Sequence, residues 1–411
     1  MTDFQLAAIV LALAASVAYL NSRFLKLPSA VGLMATAMFG SLAIVALDAS
    51  GAVDVSSRVR EVVTHLDFGN TLLHGMLGLL LFAGALHIDL ADLGAEKLQI
   101  ASLAVGGTVL SAALVGIASY FLLDLLGVHL AWIEALLFGA VISPTDPIAV
   151  LGVLKSAGAP HELSTRMAGE SLFNDGVGVV LFTVLVTVHG GGEPDAATVA
   201  ALFAQEVLGG IAFGLVAGFV AVRLIRSIDD YPVEVLITLS LVVSGYASAE
   251  ALGVSAPIAA VVAGLVVGNR GRRIAMSERS RVHVDIFWQL VDEILNAVLF
   301  LMMGLAVILV PMSWTHVEAG AVAIVIALAA RWISVAIPLT MLRPFREATP
   351  HAITILTWGG LRGGLSIAMA LALPTTANHD ILLVMTYAVV ACSILLQGMS
   401  FGPLLRRLTH E

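Results

Sequence analysis

Apolar runs of about 20 residues recur from one end of the chain to the other. A run of this length is what an α-helix needs to cross a hydrocarbon core of roughly 30 Å. Only 12% of the 411 residues are charged and 59% are apolar, whereas soluble domains carry roughly 25% charged residues. The sequence therefore predicts an all-α polytopic membrane protein, with a single membrane domain over residues 1–411 and no soluble regulatory domain.

The apolar runs, separated by polar residues or by Pro and Gly, predict thirteen transmembrane spans. The ninth run is short, and merging it with the eighth would change the parity, so the count needs an independent check. The predicted spans are 4–20, 28–47, 70–88, 98–123, 130–154, 163–188, 198–225, 233–250, 254–268, 284–310, 316–342, 350–373 and 381–404.

Basic residues provide that check, because short cytoplasmic loops are enriched in Lys and Arg. With thirteen spans and an outside N-terminus, 16 of the 20 Lys and Arg residues fall on the inside. Only Arg58 and Arg60 fall outside, in a loop over residues 48–69 that suggests a short surface helix, while Arg331 and Arg362 lie within spans. The predicted C-terminus is therefore cytoplasmic. The inside residues are Arg23, Lys26, Lys97, Lys155, Arg166, Arg223, Arg226, Arg270, Arg272, Arg273, Arg279, Arg281, Arg343, Arg346, Arg406 and Arg407.

Three further features narrow the class of protein. The chain reaches its first basic residue only at Arg23, so we interpret the first apolar run as a retained span and not as a signal peptide. The single cysteine, Cys392, excludes disulfides and Cys-based metal sites. A net charge of −9 disfavours nucleic acid as a partner. No cofactor is expected.

The fifth span contains the string Ser143-Pro144-Thr145-Asp146-Pro147. Proline within a helix removes a backbone donor and clashes with the preceding turn, so two prolines around a carboxylate should interrupt this span. Irregular backbone at membrane depth is tolerated only where it is buried in protein or lines a cavity. The interruption would present free carbonyls, the Thr145 hydroxyl and the Asp146 carboxylate, all of them ligands suited to a hard cation.

The sixth span carries a second polar group, in the string GESLFNDG at residues 169–176. Ser171 and Asp175 are four residues apart, as are Glu170 and Asn174, so each pair shares one face of a helix. Ionisable residues within a membrane are costly and by default mark an ion or proton pathway. Hydrogen bonding between helices is the alternative role for Ser171 or Asn174 alone.

The twelfth span contains the string GGLRGG at residues 359–364. Four glycines permit a helix break and a close approach of another backbone. With the seventh span as a linker, the two interrupted spans are the fifth of spans 1–6 and the fifth of spans 8–13, the pattern of inverted repeats with crossed broken helices. Arg362 cannot lose its proton and needs a carboxylate nearby, for which Glu170 is the first choice.

The strings PTDP at 144–147, ESLFNDG at 170–176 and GGLRG at 359–363 resemble those of the monovalent cation/proton antiporter-1 family. This family includes prokaryotic NhaP-type antiporters and animal sodium/proton exchangers. The resemblance spans the whole membrane domain. It implies a homodimer in the prokaryotic inner membrane, with a dimerisation domain and a mobile six-helix core, acting in pH homeostasis.

The same resemblance implies a role for each motif residue. Asp175 would bind the ion and carry the proton, with Thr145, Asp146 and Ser171 completing a Na+ site. Glu170 would contribute directly or through water and pair with Arg362, and Asn174 would hold the site together.

An exchange mechanism follows from the cost of a bare carboxylate in a low-dielectric environment. A proton or a sodium ion can neutralise Asp175, so competition for one site couples the two fluxes. Because Asn174 is an amide and Glu170 is neutralised by Arg362, we expect one proton per sodium ion and an electroneutral cycle.

Several polar residues outside the motifs have alternative interpretations. A structural salt bridge of Arg331 with the group Asp292, Glu293 and Asn296 is favoured over a second ion site. Gly210, Gly214 and Gly218 have the spacing of a helix-packing motif or of a dimer interface. The histidines His65, His74 and His87, near the ends of the third span, could respond to pH near neutrality, although isolated interfacial histidines usually do not.

Three other functions compete with sodium/proton antiport. An intramembrane aspartyl protease needs two carboxylates, which Asp146 and Asp175 could mimic, but it has no use for broken helices. A passive channel would conduct ions without moving protons. Potassium/proton antiport is the closest alternative, because the ligand types do not distinguish the ions.

Overall fold

Helices account for the regular structure within the residues that the computed structural model describes, which are 2–49, 56–65, 67–156, 161–191, 196–311, 313–342 and 351–409. One isolated bridge between backbone segments, at Asp146 and Leu361, accompanies them. The first eight helices are α1 (Asp3–Leu20, extended by the π-helical turn Asn21–Leu25), α2 (Ser29–Ala49), α3 (Ser56–His65), α4 (Phe68–Asn70, Thr71–Met76 and Leu77–Leu86 in continuity), α5 (Leu90–Ala101, Ser102–Gly107 and Thr108–Asp124 in continuity), α6 (Trp132–Ile142), α7 (Ile148–Ser156) and α8 (His161–Gly191).

The second half of the chain also contains long helices and one pair of short ones. The helices are α9 (Ala196–Ile225), α10 (Tyr231–Ala251), α11 (Ala256–Val266, extended by Val267–Gly271 and Arg272–Ile274), α12 (Glu278–Ala306, extended by Val307–Leu309), α13 (Trp314–Leu342), α14 (Ala352–Gly359), α15 (Gly364–Leu371) and α16 (His379–Cys392, Ser393–Gln397 and Gly398–Thr409 in continuity).

Ten helices of the described chain are long and apolar enough to cross a membrane. Each coincides with one of the predicted spans. The other three predicted spans fall on the pair α6 and α7, on α11, and on the pair α14 and α15. The prediction of a multi-span helical membrane protein is confirmed, whereas the count of thirteen spans stays a prediction.

The two predicted helix interruptions are present. Ordered helix ends at Ile142 and resumes at Ile148, across the two prolines, and it ends again at Gly359 and resumes at Gly364. The two gaps cross one another, because the Asp146 amide donates a hydrogen bond of 2.8 Å to the Leu361 carbonyl. This main-chain bond satisfies two groups that the broken helices leave free.

Close helix packing depends on small residues. On α9, a Cβ at Gly214 would lie 2.6 Å from the carbonyl oxygen of Ala259 on α11, and one at Gly210 would lie 2.7 Å from that of Ser255. A Cβ at Gly218 would lie 3.0 Å from the Cβ of Val266 on α11. These three glycines therefore pack within the chain, which confirms packing over a dimer interface for this motif.

Polar side chains are turned inwards while many large apolar ones face outwards, as expected where lipid surrounds the protein. Phe121, Val216 and Val325 are exposed on the outer surface. Glu170, Asn174 and Arg362 are buried. This reversal places the polar groups of the motifs inside the helix bundle.

Some predictions about loops can be compared with the structure. The short surface helix predicted between residues 48 and 69 is present as α3 (Ser56–His65). Arg343 and Arg346 lie outside the described residues. The assignment of Arg166 to a loop was wrong, because it is buried in α8 and its Nε donates to Glu96 Oε2 at 2.7 Å.

Candidate ion-binding site

A cavity of about 820 Å³ lies beside the helix crossing. Thr145, Asp146, Ser171 and Asp175 all line it, so the structure brings together the four residues predicted to form the ion site. The cavity runs along α4, α8 and α12 to the chain segments that begin α5 and α8, where Asp89, Asp92 and His161 form its mouth.

Thr145 is held in place by two neighbours on α8. Asn174 Nδ2 donates to the Thr145 hydroxyl at 2.7 Å, and Asn174 Oδ1 accepts from the Thr145 amide at 3.3 Å. The Ser171 hydroxyl donates to the Thr145 carbonyl. Because Asn174 is fully buried and does not line the cavity, its position fits the predicted supporting role.

The carboxylates of Asp146 and Asp175 face the cavity from two different segments. Both side chains keep partial exposure, although Thr145 and Ser171 beside them are almost fully buried. One oxygen of Asp146 caps α7 by accepting a hydrogen bond of 2.9 Å from the Ile148 amide. The two carboxylates lie within electrostatic range of each other. A cation or a proton between them would relieve their repulsion.

Arg362 does not pair with Glu170, so that prediction was wrong. Its Nη1 donates to the carbonyl oxygens of Ser143 at 2.7 Å and Pro144 at 2.8 Å, and its amide donates to the Ser393 hydroxyl at 2.9 Å. Pro147 has no amide hydrogen to donate to the Ser143 carbonyl, and the Ile148 amide donates to Asp146 and not to the Pro144 carbonyl. Both carbonyls lie at the negative end of the α6 dipole. Arg362 therefore stabilises the interruption itself.

Glu170 forms its ion pair with Arg331 of α13. Both side chains are less than 10% exposed, and Arg331 Nη2 also donates to the Leu356 carbonyl at 3.0 Å. Glu170 does not line the cavity, so the predicted contribution to the ion, direct or through water, finds no support in this geometry. The pair instead joins α8, α13 and α14 behind the site.

The glycines of the twelfth predicted span allow these close contacts. A Cβ on Gly363 would collide with the Asp146 carboxylate, and one on Gly360 would collide with the Arg331 guanidinium. Any larger residue at either position would thus clash with a charged side chain. A glycine string interrupting an apolar run is the signal that predicts such an approach.

The predicted salt bridge of Arg331 with Asp292, Glu293 and Asn296 is absent from the described residues, because Arg331 pairs with Glu170. The three α12 residues line the cavity instead. Sequence reasoning missed their position, although the polar stripe that they form with Gln289 within a predicted transmembrane span was a usable signal.

The three histidines near the ends of the third predicted span lie in different surroundings. His87 lines the cavity and bonds through Nδ1 to the Ala83 carbonyl at 2.8 Å. His74 Nε2 lies 3.5 Å from Glu250, and His65 is exposed. A role in pH sensing stays a prediction for all three.

Comparison with known proteins decides the family. The model of the family described as "Sodium/hydrogen exchanger, transmembrane" matches residues 10–407, which include both interrupted helices and the whole of α8. The chain belongs to the sodium/hydrogen exchanger family.

Similar members of the sodium/hydrogen exchanger family include two bacterial antiporters. The chain is 48% identical over 409 residues to the Na(+)/H(+) antiporter NhaP of Pseudomonas aeruginosa, covering 98% of this chain and 96% of NhaP. It is 38% identical over 348 residues to the Na(+)/H(+) antiporter NhaH of Halobacillus dabanensis, covering 83% and 84% of the two chains.

A solved structure of the sodium/hydrogen exchanger fold is also similar over nearly the full length. The sodium proton antiporter MjNhaP1 from Methanocaldococcus jannaschii, determined at pH 8, superposes with a TM-score of 0.75 and covers 98% of both chains at 18% identity. At that identity the likeness concerns the fold alone.

Proposed function

We propose that this protein exchanges Na+, or Li+ as its analogue, for H+ across the prokaryotic inner membrane by alternating access. The observation that carries the proposal is the meeting of Asp146 and Asp175 in one cavity, where two interrupted helices cross. Identity of 48% to an Na(+)/H(+) antiporter over 98% of the chain supports it.

The exchange depends on competition at one site. A sodium ion would take oxygen ligands from Asp175 and Asp146, together with the Ser171 hydroxyl and the interrupted backbone at Thr145. A proton on the same carboxylates removes the negative charge that attracts the ion. The site thus carries either ligand across the membrane and seldom crosses empty, because unpaired buried charge is costly.

One-for-one exchange is the proposed stoichiometry. Asn174 adds no titratable group beside Asp175, and Glu170 is neutralised by Arg331. Because Arg331 neutralises Glu170 in place of Arg362, the proposed cycle is electroneutral.

The proposed topology has thirteen spans, with the N-terminus outside and the C-terminus in the cytoplasm. Spans 1–6 and 8–13 form inverted repeats around span 7, divided into a dimerisation domain and a six-helix core of a homodimer. In this orientation the cavity mouth at Asp89, Asp92 and His161 faces the cytoplasm, which makes this an inward-open conformation.

Transport by purified protein in proteoliposomes tests the function. A pH-sensitive dye should report proton movement when Na+ or Li+ is added, and Asp175→Ala should abolish it. The exchange rate should not change when potassium and valinomycin clamp the membrane voltage. Wild-type exchange by Asp175→Ala would refute the site, and marked acceleration by an inside-negative voltage would refute the one-for-one stoichiometry.

A cation series in the same assay distinguishes the alternative of potassium/proton antiport. The oxygen ligands at Asp175, Asp146 and Ser171 do not by themselves select an ion by size. A dye response to K+ greater than that to Na+ would identify potassium as the substrate and would leave the site assignment unchanged.

A further inference from the structure

A polar stripe on α12 lines the same cavity as the proposed exchange site. Gln289, Asp292, Glu293 and Asn296 recur at helical spacing and all line the cavity. None of these residues has a part in the proposed exchange cycle. Their position in the lining of this cavity makes them candidates for a second contact with the ion.

Asn296 provides an observation that points to a ligand. Its side chain is only 7% exposed, and its Oδ1 has no hydrogen-bond partner among the residues that the structure describes. A buried amide oxygen without a partner is destabilising, because it has lost its hydrogen bonds to water. This oxygen belongs to a residue of the cavity wall, where a cation could satisfy it.

Asp292 holds the amide in this orientation. Asn296 Nδ2 donates to Asp292 Oδ1 at 3.1 Å, one helical turn away, so the amide nitrogen is occupied and the amide oxygen is left free. The half-buried Asp292 carboxylate then lies beside that oxygen on the same wall. A carboxylate and an amide oxygen together are ligands that a hard cation prefers.

The surrounding charges and hydroxyls favour a cation at this position. Asp292 lies within electrostatic range of Asp146, of its neighbour Glu293 and of His87 across the cavity. Ser366 of α15, 1% exposed, contributes a further hydroxyl without a partner in the described structure to the same cavity. Oxygen atoms from α12 and α15 therefore belong to the lining of one cavity.

We propose that Asp292 and Asn296 form a second binding site for a monovalent cation, which a sodium ion occupies in the same cavity as the pair Asp146 and Asp175. The proposal rests on the proposed antiport function and extends it. Occupancy of this second site concentrates the cation near the exchange site, while the exchange itself still takes place at Asp175.

Equilibrium binding of radioactive 22Na+ to purified protein tests the second site directly. The variant Asp146→Asn with Asp175→Asn removes the exchange site, and we expect it to retain weaker binding of one sodium ion per chain. Adding Asp292→Asn or Asn296→Leu should remove that residual binding. The proposal is overturned if the double variant binds no sodium, or if Asp292→Asn leaves its binding unchanged.

Exchange kinetics provide a second measurement on protein with an intact exchange site. In inverted membrane vesicles, Asp292→Asn should raise the half-saturating Na+ concentration about tenfold or more, because a negatively lined cleft concentrates cations by this order. The maximal rate should stay within about twofold of wild type. An unchanged half-saturating concentration contradicts the proposal.

Glu278→Gln is the matched control, since it removes one negative charge from an exposed position on the same helix, away from the cavity. It should behave as wild type, and the same shift in Glu278→Gln as in Asp292→Asn also overturns the proposal. The second site can fail while Asp175→Ala still abolishes exchange, so this failure is distinct from a failure of the antiport function.

Discussion

Removing one partner of the buried pair formed by Glu170 and Arg331 should destabilise the protein strongly. Arg331→Gln leaves the Glu170 carboxylate, whose side chain is 2% exposed, without its ion-pair partner. Breaking a buried pair in this way costs about 3–5 kcal/mol. With an unfolding entropy of about 2.1 cal/mol/K per residue over 411 residues, the midpoint of thermal unfolding should fall by about 4–6 °C.

A double-mutant cycle in detergent solution isolates the pair. Glu170→Gln combined with Arg331→Gln should restore much of the lost stability, because the two neutral side chains leave no uncompensated charge. We expect a coupling of about 2–3 kcal/mol between these positions. The parallel cycle with Arg362→Gln should show a smaller coupling, because Arg362 bonds to carbonyls and not to Glu170.

Unfolding midpoints measured by intrinsic fluorescence give the stability differences for both double-mutant cycles. A coupling of Glu170 with Arg362 that exceeds the coupling with Arg331 would refute the assigned pairing. Additive effects of the Glu170 and Arg331 substitutions would refute the claim that this pair stabilises the bundle.

Three further predictions concern the helix crossing. Gly363→Ala should lower dye-reported exchange more than tenfold, since its Cβ would displace the Asp146 carboxylate. Gly75→Ala is the control and should stay within about twofold of wild type, because there is open space around it. Equal effects of the two substitutions would exclude the steric argument. Arg362→Gln should lower the free energy of unfolding by about 3 kcal/mol or more, measured by the unfolding midpoint. Arg362→Lys should recover part of the lost stability. An unchanged midpoint in Arg362→Gln would show that the two hydrogen bonds to carbonyls contribute little. Asn174→Asp should make exchange respond to a clamped voltage, by about 2.3 kcal/mol per net charge per 100 mV; a voltage-insensitive variant would contradict the stoichiometric role of the amide.

The interruptions at the crossing were predictable from sequence because their causes are local. Pro144 and Pro147 remove backbone donors wherever they occur in a helix, and a glycine string weakens a helix regardless of its neighbours. The spacing of Ser171 and Asp175 likewise fixes their common face without tertiary information. The grouping of Thr145, Asp146, Ser171 and Asp175 into one site came from the resemblance of both strings to the family, since local spacing does not place one span against the other.

The partner of Glu170 could not be predicted in the same way. Arg331 and Arg362 both lie in apolar runs, and their distances from Glu170 depend on how α13 and α14 pack against α8. Counting the backbone N–H donors lost at the interruption would have indicated a different partner for Arg362. The Ser143 carbonyl loses its helical donor because Pro147 has no amide hydrogen, and an arginine at the opposing break is well placed to replace that donor.

The α12 stripe was misinterpreted for a related reason. A salt bridge of Asp292 and its neighbours with Arg331 was favoured over a second ion site, although the pairing depends on how α12 and α13 pack. Helical periodicity was the better guide, since polar residues on one face of an apolar helix indicate a face directed at water or protein. In the structure, the polar face of α12 lines the cavity.

The hydrogen bond from the Asp146 amide to the Leu361 carbonyl joins main-chain atoms only. Apart from proline at position 146, no amino-acid replacement deletes either of its two atoms. The scaffold at the crossing and the chemistry of ion selection are thus encoded separately, the first in the backbone and the second in side chains such as Thr145 and Ser171. Divergence among exchangers can retune the preferred ion by side-chain replacement without dismantling the framework that holds it.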